Sequence, residues 1–149
     1  MDTKPLPWDV TEVFKLPVTV TPTDCDRFGH TNNTVYLRWL ERVAWAHSEN
    51  LGMSFERYEA LGAGCVVHRH ELDYLAATFA GDELVLGTWV AENDGRIGLW
   101  RAYQIIRPRD ARSVLRGRTH FVCIDLKSGR PRRQPPEFVT AYRPAHPAS

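Results

Sequence analysis

Two aspartates, Asp24 and Asp26, stand just ahead of Gly29, His30, Asn32 and Asn33. These residue types in that order could act on an acyl carbon. A carboxylate can attack a carbonyl directly or take a proton from water beside it. The unpaired N–H groups and positive dipole end of a helix that starts here could hold the resulting oxyanion. Gly29 would let the backbone approach closely or adopt a positive φ. The same residues also serve turns and helix caps. Spacing alone therefore leaves catalysis and capping both open.

The two aspartates compete for the chemical role. Two positions apart, they share a face only if the backbone stays extended between them. Asp24 is the better candidate for bonding the loop backbone. Glu41, further along, offers another carboxylate, but an ion pair with Arg38 at i−3 is its expected state. His30 could orient Asp26, polarise a carbonyl or bond the loop. His68 and His70 fall two apart on a strand, where His120 could join them as metal ligands. That spacing resembles the HxH of a cupin. A cupin also needs a glutamate four or five residues later, where this chain has Tyr74 and Leu75, and a second motif that is missing. A His-rich, cupin-like metal barrel is therefore kept only as a weak alternative, and no metal is assigned.

The elements that must position these residues follow from periodicity. Residues 13–22 alternate apolar and polar, a half-buried strand that Pro17 confines to an edge or a bulge. A helix is predicted over 34–51, with Asn32, Asn33 or Thr34 as N-cap and Gly52 as its stop. Its apolar surface is wider than one stripe, which predicts a largely buried helix roughly 27 Å long. A short helix over 54–61 ends at Gly62. Period-two patterning then gives strands over 65–75, 83–92, 96–107 and 113–126, read as a meander with a turn at Asn93–Gly95. Residues 135–142 could close with a helical turn. Helices segregated against an antiparallel sheet make an α+β fold.

Composition narrows the class. The chain has 149 residues, 43% hydrophobic and 25% charged, the size and balance of one domain spanning 1–149. Its core is expected over about 13–142, with loose termini at 1–12 and 143–149. No apolar run approaches a membrane span and the first residues have no secretory pattern. A net charge of +1 removes the strongest case for nucleic acid. Cys25, Cys65 and Cys123 are too scattered for a disulfide framework, which suggests reduced thiols in a cytoplasmic protein. Arg96, Arg130, Arg132 and Arg133 form basic clusters that could grip phosphate bidentately or simply be a solvated face.

The run Asp24-Cys-Asp26-Arg-Phe-Gly29-His30-Thr-Asn32-Asn33-Thr-Val-Tyr36-Leu-Arg-Trp39-Leu-Glu41 resembles the hotdog-fold acyl-CoA thioesterases of the 4-hydroxybenzoyl-CoA type, whose pattern is DxDxxGHxNNxxYxxWxE. The resemblance covers about residues 13–142. It implies a long central helix wrapped by a curved antiparallel sheet, and hydrolysis of an acyl-CoA or, as a lesser option, an acyl carrier protein thioester, without a cofactor. It places the catalytic carboxylate on Asp26 and the oxyanion amide on the backbone of Asn33. Gly29 and His30 would shape the loop, with Tyr36 as the aromatic near it. It also implies a homodimer or homotetramer with the site at a subunit interface. His68 and His70 would then line the acyl pocket or the dimer seam, and the arginines would meet the CoA phosphates. A non-catalytic acyl or CoA binder on the same fold is the competing function.

Overall fold

The computed structural model describes residues 5–148. The chain runs β1 (Phe14–Thr19), α1 (Asn33–Asn50), α2 (Phe55–Leu61), β2 (Ala63–Tyr74), β3 (Glu83–Asn93), β4 (Gly98–Arg107), β5 (Arg112–Asp125) and α3 (Pro136–Ala141). A 3-10 turn, Pro22–Asp24, follows β1. All pairings are antiparallel, in the spatial order β1-β3-β4-β5-β2.

Strands β3, β4 and β5 form the expected meander, but β2 does not precede β3 in it. It pairs with β5 at the far edge, from Ala63↔Asp125 to Tyr74↔Leu115, and β1 takes the place beside β3. The segment 75–82 is therefore a crossover between sheet edges. Its backbone bonds the loop ahead of α1: the Thr31 N–H donates to the Thr78 carbonyl at 2.9 Å and the Gly81 N–H to Val20 at 2.8 Å. Pro17 sits on edge strand β1, where its missing N–H costs nothing.

Asn32 caps α1, its Oδ1 accepting the Thr34 N–H at 3.1 Å. Val35, Tyr36, Trp39, Leu40 and Val43 recur at helical spacing and pack on Leu84, Leu86, Tyr103, Ile105 and Leu115 of the sheet. Each such buried side chain contributes about 1.5–3 kcal/mol. The helix is less buried than its composition predicts. Trp45 is 39% exposed, and Leu37 and Ala44 are half-buried. These three line a cavity, so the second apolar stripe of α1 faces an open space instead of the core.

The terminal segments, expected to be loose, are held together among the described residues. Val10 bridges Pro147, and the Thr11 N–H donates to the His146 carbonyl at 3.1 Å. Buried Gln104 accepts the Asp9 N–H and donates to the Pro7 carbonyl, and Asp9 pairs with Arg116 at 2.8 Å. Trp8 fills the space that a side chain at Gly87 would need. Residues 1–4 and 149 lie outside the described residues. No helix among the described residues is long and apolar enough to cross a membrane.

Candidate active site

The loop between the 3-10 turn and α1 is a narrow ring. Cys25 bridges Thr31. Inside it, the Asp26 N–H donates to the His30 carbonyl at 2.8 Å and the Gly29 N–H to the Asp26 carbonyl at 3.0 Å. The Asp26 side chain closes the ring: Oδ1 accepts the N–H of Phe28 at 2.9 Å and of His30 at 3.3 Å. Gly29 takes φ +80°, a left-handed conformation that favours glycine. Asp26 is exposed, and its Oδ2 has no hydrogen bond among the described residues. One oxygen does turn chemistry and the other stays available.

Asp24 serves local structure through its backbone and one carboxylate oxygen, while its Oδ1, like Asp26 Oδ2, has no hydrogen bond among the described residues. Its Oδ2 accepts the N–H and hydroxyl of Thr21 at 2.8 and 2.9 Å, and its carbonyl accepts the Asn32 N–H at 2.8 Å. Asn33 is the first residue of α1, so its N–H has no acceptor within the helix. His30 contacts Asp26 through backbone. Its exposed ring lies edge-on to Phe79, centroids 5.1 Å apart.

Tyr36, expected as the aromatic near the loop, lies beneath it. It is 4% exposed, in the core. Its hydroxyl bonds Thr78 Oγ1 at 2.7 Å, which bonds Thr31 Oγ1 at 2.6 Å. The apolar face of α1 carries Tyr36 inward, so it clamps the stem of the loop and does not open onto it.

A cavity of about 470 Å³ lies between α1 and the sheet, within the usual range for small-molecule sites. Leu37 and Trp45 line it from the helix and Val66, Val67 and Phe121 from β2 and β5. Arg38 and Glu41 also line it, and no ion pair joins them among the described residues, against expectation. His70 reaches the cavity wall and bonds Thr119 Oγ1 at 2.8 Å.

Sequence reasoning missed Arg101. It is 3% exposed and lines the same cavity. Its Nη1 bonds His47 Nδ1 at 2.7 Å and Thr88 Oγ1 at 3.2 Å, and its Nη2 bonds Ser48 Oγ at 3.3 Å. Burial and the adjacent guanidinium pull the His47 imidazole down to about 4, so it accepts from Arg101 as a neutral ring. Burial pushes the Cys65 thiol up to about 12 and raises the Tyr58 and Tyr142 phenols too. The signal was available: Leu99, Arg101, Tyr103 and Ile105 alternate inward along β4, and one of the four is a cation.

The three histidines do not converge. A register shift between Val67 and Arg69 leaves His68 in a β-bulge, unmatched in the β5 ladder. His68 Nδ1 meets His120 Nδ1 at 3.0 Å, where His120 packs on Trp100, while His70 serves the cavity. The shared strand face predicted from their spacing is undone by that extra residue, and with it the three-histidine metal set.

The basic residues gather at the other end of the sheet. The Gln134 N–H donates to the Arg96 carbonyl at 2.6 Å, and the Asp125 N–H to the Arg130 carbonyl at 2.8 Å. These bonds draw residues 130–134, with Arg132 and Arg133, beside the β3–β4 turn. The length of β3, roughly 35 Å by strand rise, separates that turn from the crossover that holds the Asp26 loop. One chain does not bring the arginines to its own Asp26.

Residues 20–142 match the family model described as the thioesterase-like superfamily. The long-chain acyl-CoA thioesterase FadM of Escherichia coli strain K12 is 29% identical over 103 residues, covering 69% of this chain and 76% of FadM. A 1,4-dihydroxy-2-naphthoyl-CoA thioesterase from Synechocystis superposes with a TM-score of 0.77 at 20% identity, over 88% of this chain and 96% of the other. A Staphylococcus aureus protein solved in complex with CoA gives 0.80 at 18% identity, over 89% and 82%. These structural likenesses carry the fold, a long helix on a five-stranded antiparallel sheet as in hotdog thioesterases. With the family match across most of its length, the chain belongs to the thioesterase-like superfamily and is a thioester hydrolase of the hotdog fold.

Proposed function

We propose that the chain hydrolyses an acyl-CoA thioester to a free acid and CoA, with Asp26 as the reactive carboxylate and the Asn33 N–H as oxyanion donor. The observation that carries this reading is the division of labour at Asp26. One carboxylate oxygen is fixed by two backbone N–H groups and the other is unbonded, in a ring that leads directly into α1. The free oxygen either attacks the thioester carbon, giving an anhydride that water then cleaves, or takes a proton from the attacking water. In both routes the carbonyl oxygen gains negative charge where the first turn of α1 offers unpaired N–H groups. The thiolate of CoA leaves and takes up a proton. FadM is named a long-chain acyl-CoA thioesterase, which favours CoA as the carrier here.

The site reads best as shared between two copies of the chain. The outer edge of β2 is unpaired in the sheet, and Val66 and Val67 on it are 43% and 51% exposed. Antiparallel pairing of two such edges sets the Ala63 end of one beside the Tyr74 end of the other. The partner's arginine end then lies at this chain's Asp26 end, where CoA phosphates could meet it. Sedimentation should give a dimer or tetramer. The free thiols of Cys25, Cys65 and Cys123 suit a cytoplasmic setting.

A thiol-release assay with aromatic, short, medium and long acyl-CoAs tests the function. Turnover of at least one class is expected. Binding without turnover of any thioester would instead favour a non-catalytic acyl-CoA binder.

A further inference from the structure

The cavity beside α1 has an apolar wall and one buried cation. Arg101 has no ion pair among the described residues, and its bonded neighbours His47, Ser48 and Thr88 are neutral. The Tyr142 ring lies 5.9 Å from its guanidinium carbon. Glu41, the carboxylate in the cavity lining, is exposed on the helix and not paired with it. The C-terminal end of α1, beside His47 and Ser48, supplies only about half a negative charge. A buried cation without a counter-ion is costly, and a ligand anion would relieve that cost.

Guanidinium has five N–H donors. Three are taken by His47, Thr88 and Ser48, which leaves one on Nε and one on Nη2. The same two atoms grip a carboxylate in this chain twice: Arg116 holds Asp9 and Arg118 holds Glu71 through Nε and Nη2. Ser48 lies fifteen positions beyond Asn33 on α1, roughly 22 Å along the axis. A group bound at Arg101 is therefore remote from the oxyanion site of the same chain. For a thioester held at that site, the group that reaches Arg101 is the tail of the acyl chain and not its carbonyl.

We infer that Arg101 is a specificity-determining residue that binds an anionic tail, so that the substrate class is acyl thioesters ending in a carboxylate. The apolar lining holds the chain between the two ends. This inference rests on the thioesterase reading and specifies the acyl group that reading leaves open.

The test compares ω-carboxyacyl-CoA with methyl-ended acyl-CoA of equal length, from medium to long chains. Wild type should cleave the carboxylate-ended thioester with at least tenfold higher kcat/KM. Arg101→Gln should bring that ratio to about one or below, and Arg101→Lys should keep part of it. A second arm needs no turnover. A free dicarboxylic acid should raise the melting temperature of wild type more than the monocarboxylic acid of the same length, and should not do so for Arg101→Gln. If that variant does not fold, the wild-type ratio and melting shift decide. A methyl-ended thioester cleaved equally well or better overturns the inference. If neither thioester is cleaved, the thioesterase reading fails, and a diacid no more stabilising than the monoacid overturns this one as well.

Discussion

Asp26 and His30 are tied to each other twice: the Asp26 N–H donates to the His30 carbonyl at 2.8 Å, and Asp26 Oδ1 accepts the His30 N–H at 3.3 Å. The peptide between them turns at Gly29, whose φ of +80° is reached without crowding. An added methyl there meets open space, so its cost is backbone strain alone, about 1–2 kcal/mol. Gly29→Ala should therefore fold, with a modestly lower melting temperature. It should lose at least tenfold in kcat, because relaxing the turn moves the Asp26 carboxylate. Unchanged turnover with lowered stability would show that the ring does not position the reacting group.

Tyr36 predicts the opposite balance. Its hydroxyl closes a buried chain through Thr78 to Thr31, under the loop and not in it. Tyr36→Phe removes one buried bond and should cost about 1 kcal/mol, roughly 4 °C in melting temperature. Turnover at 25 °C should stay within about threefold of wild type. A hundredfold fall in kcat with the melting temperature intact would return Tyr36 to the chemistry.

The site was legible in the sequence where chemistry and local folding use the same residues. Asp24 through Asn33 is contiguous, so its turn and cap signals could be read in one window, and Asn32 caps α1 as they imply. The contact of Tyr36 with the loop through Thr78 and Thr31 is not legible in the sequence, because helical spacing gives a face but not what that face meets. The separation of His68 from His70 was invisible because a bulge depends on how β2 matches β5, a relation between distant segments. The position of β2 at the sheet edge was missed for the same reason. A meander calls for a direct turn from β2 to β3, yet the backbone near Gly81 is engaged with Val20 and Thr31. The termini looked loose because their partners are each other, far apart in sequence.

His47 gives the fold a pH dependence. Its ring stacks on Phe14 and accepts from Arg101, and burial and that cation together lower it from 6.5 to about 4. Between those values the unfolded chain binds a proton that the folded chain does not, so stability falls as pH drops through that window. Above it, both states are neutral at this residue and the effect is absent. Melting temperature should decline from pH 7 to pH 4, and His47→Gln, which keeps an acceptor for Arg101, should flatten the decline. Carboxylates held low by arginines, such as Glu137 beside Arg57, act at lower pH. Equal slopes for the two proteins would show that His47 does not set the pH dependence.

Thiol release by Asp26→Asn at saturating acyl-CoA decides whether Asp26 carries the chemistry. The amide keeps an oxygen to accept from Phe28 and His30, so the ring and the melting temperature should hold. It removes the free carboxylate oxygen, so kcat should fall at least about a hundredfold. Turnover within a few-fold of wild type would contradict the assignment of the chemistry to Asp26 and shift attention to Glu41 in the cavity wall.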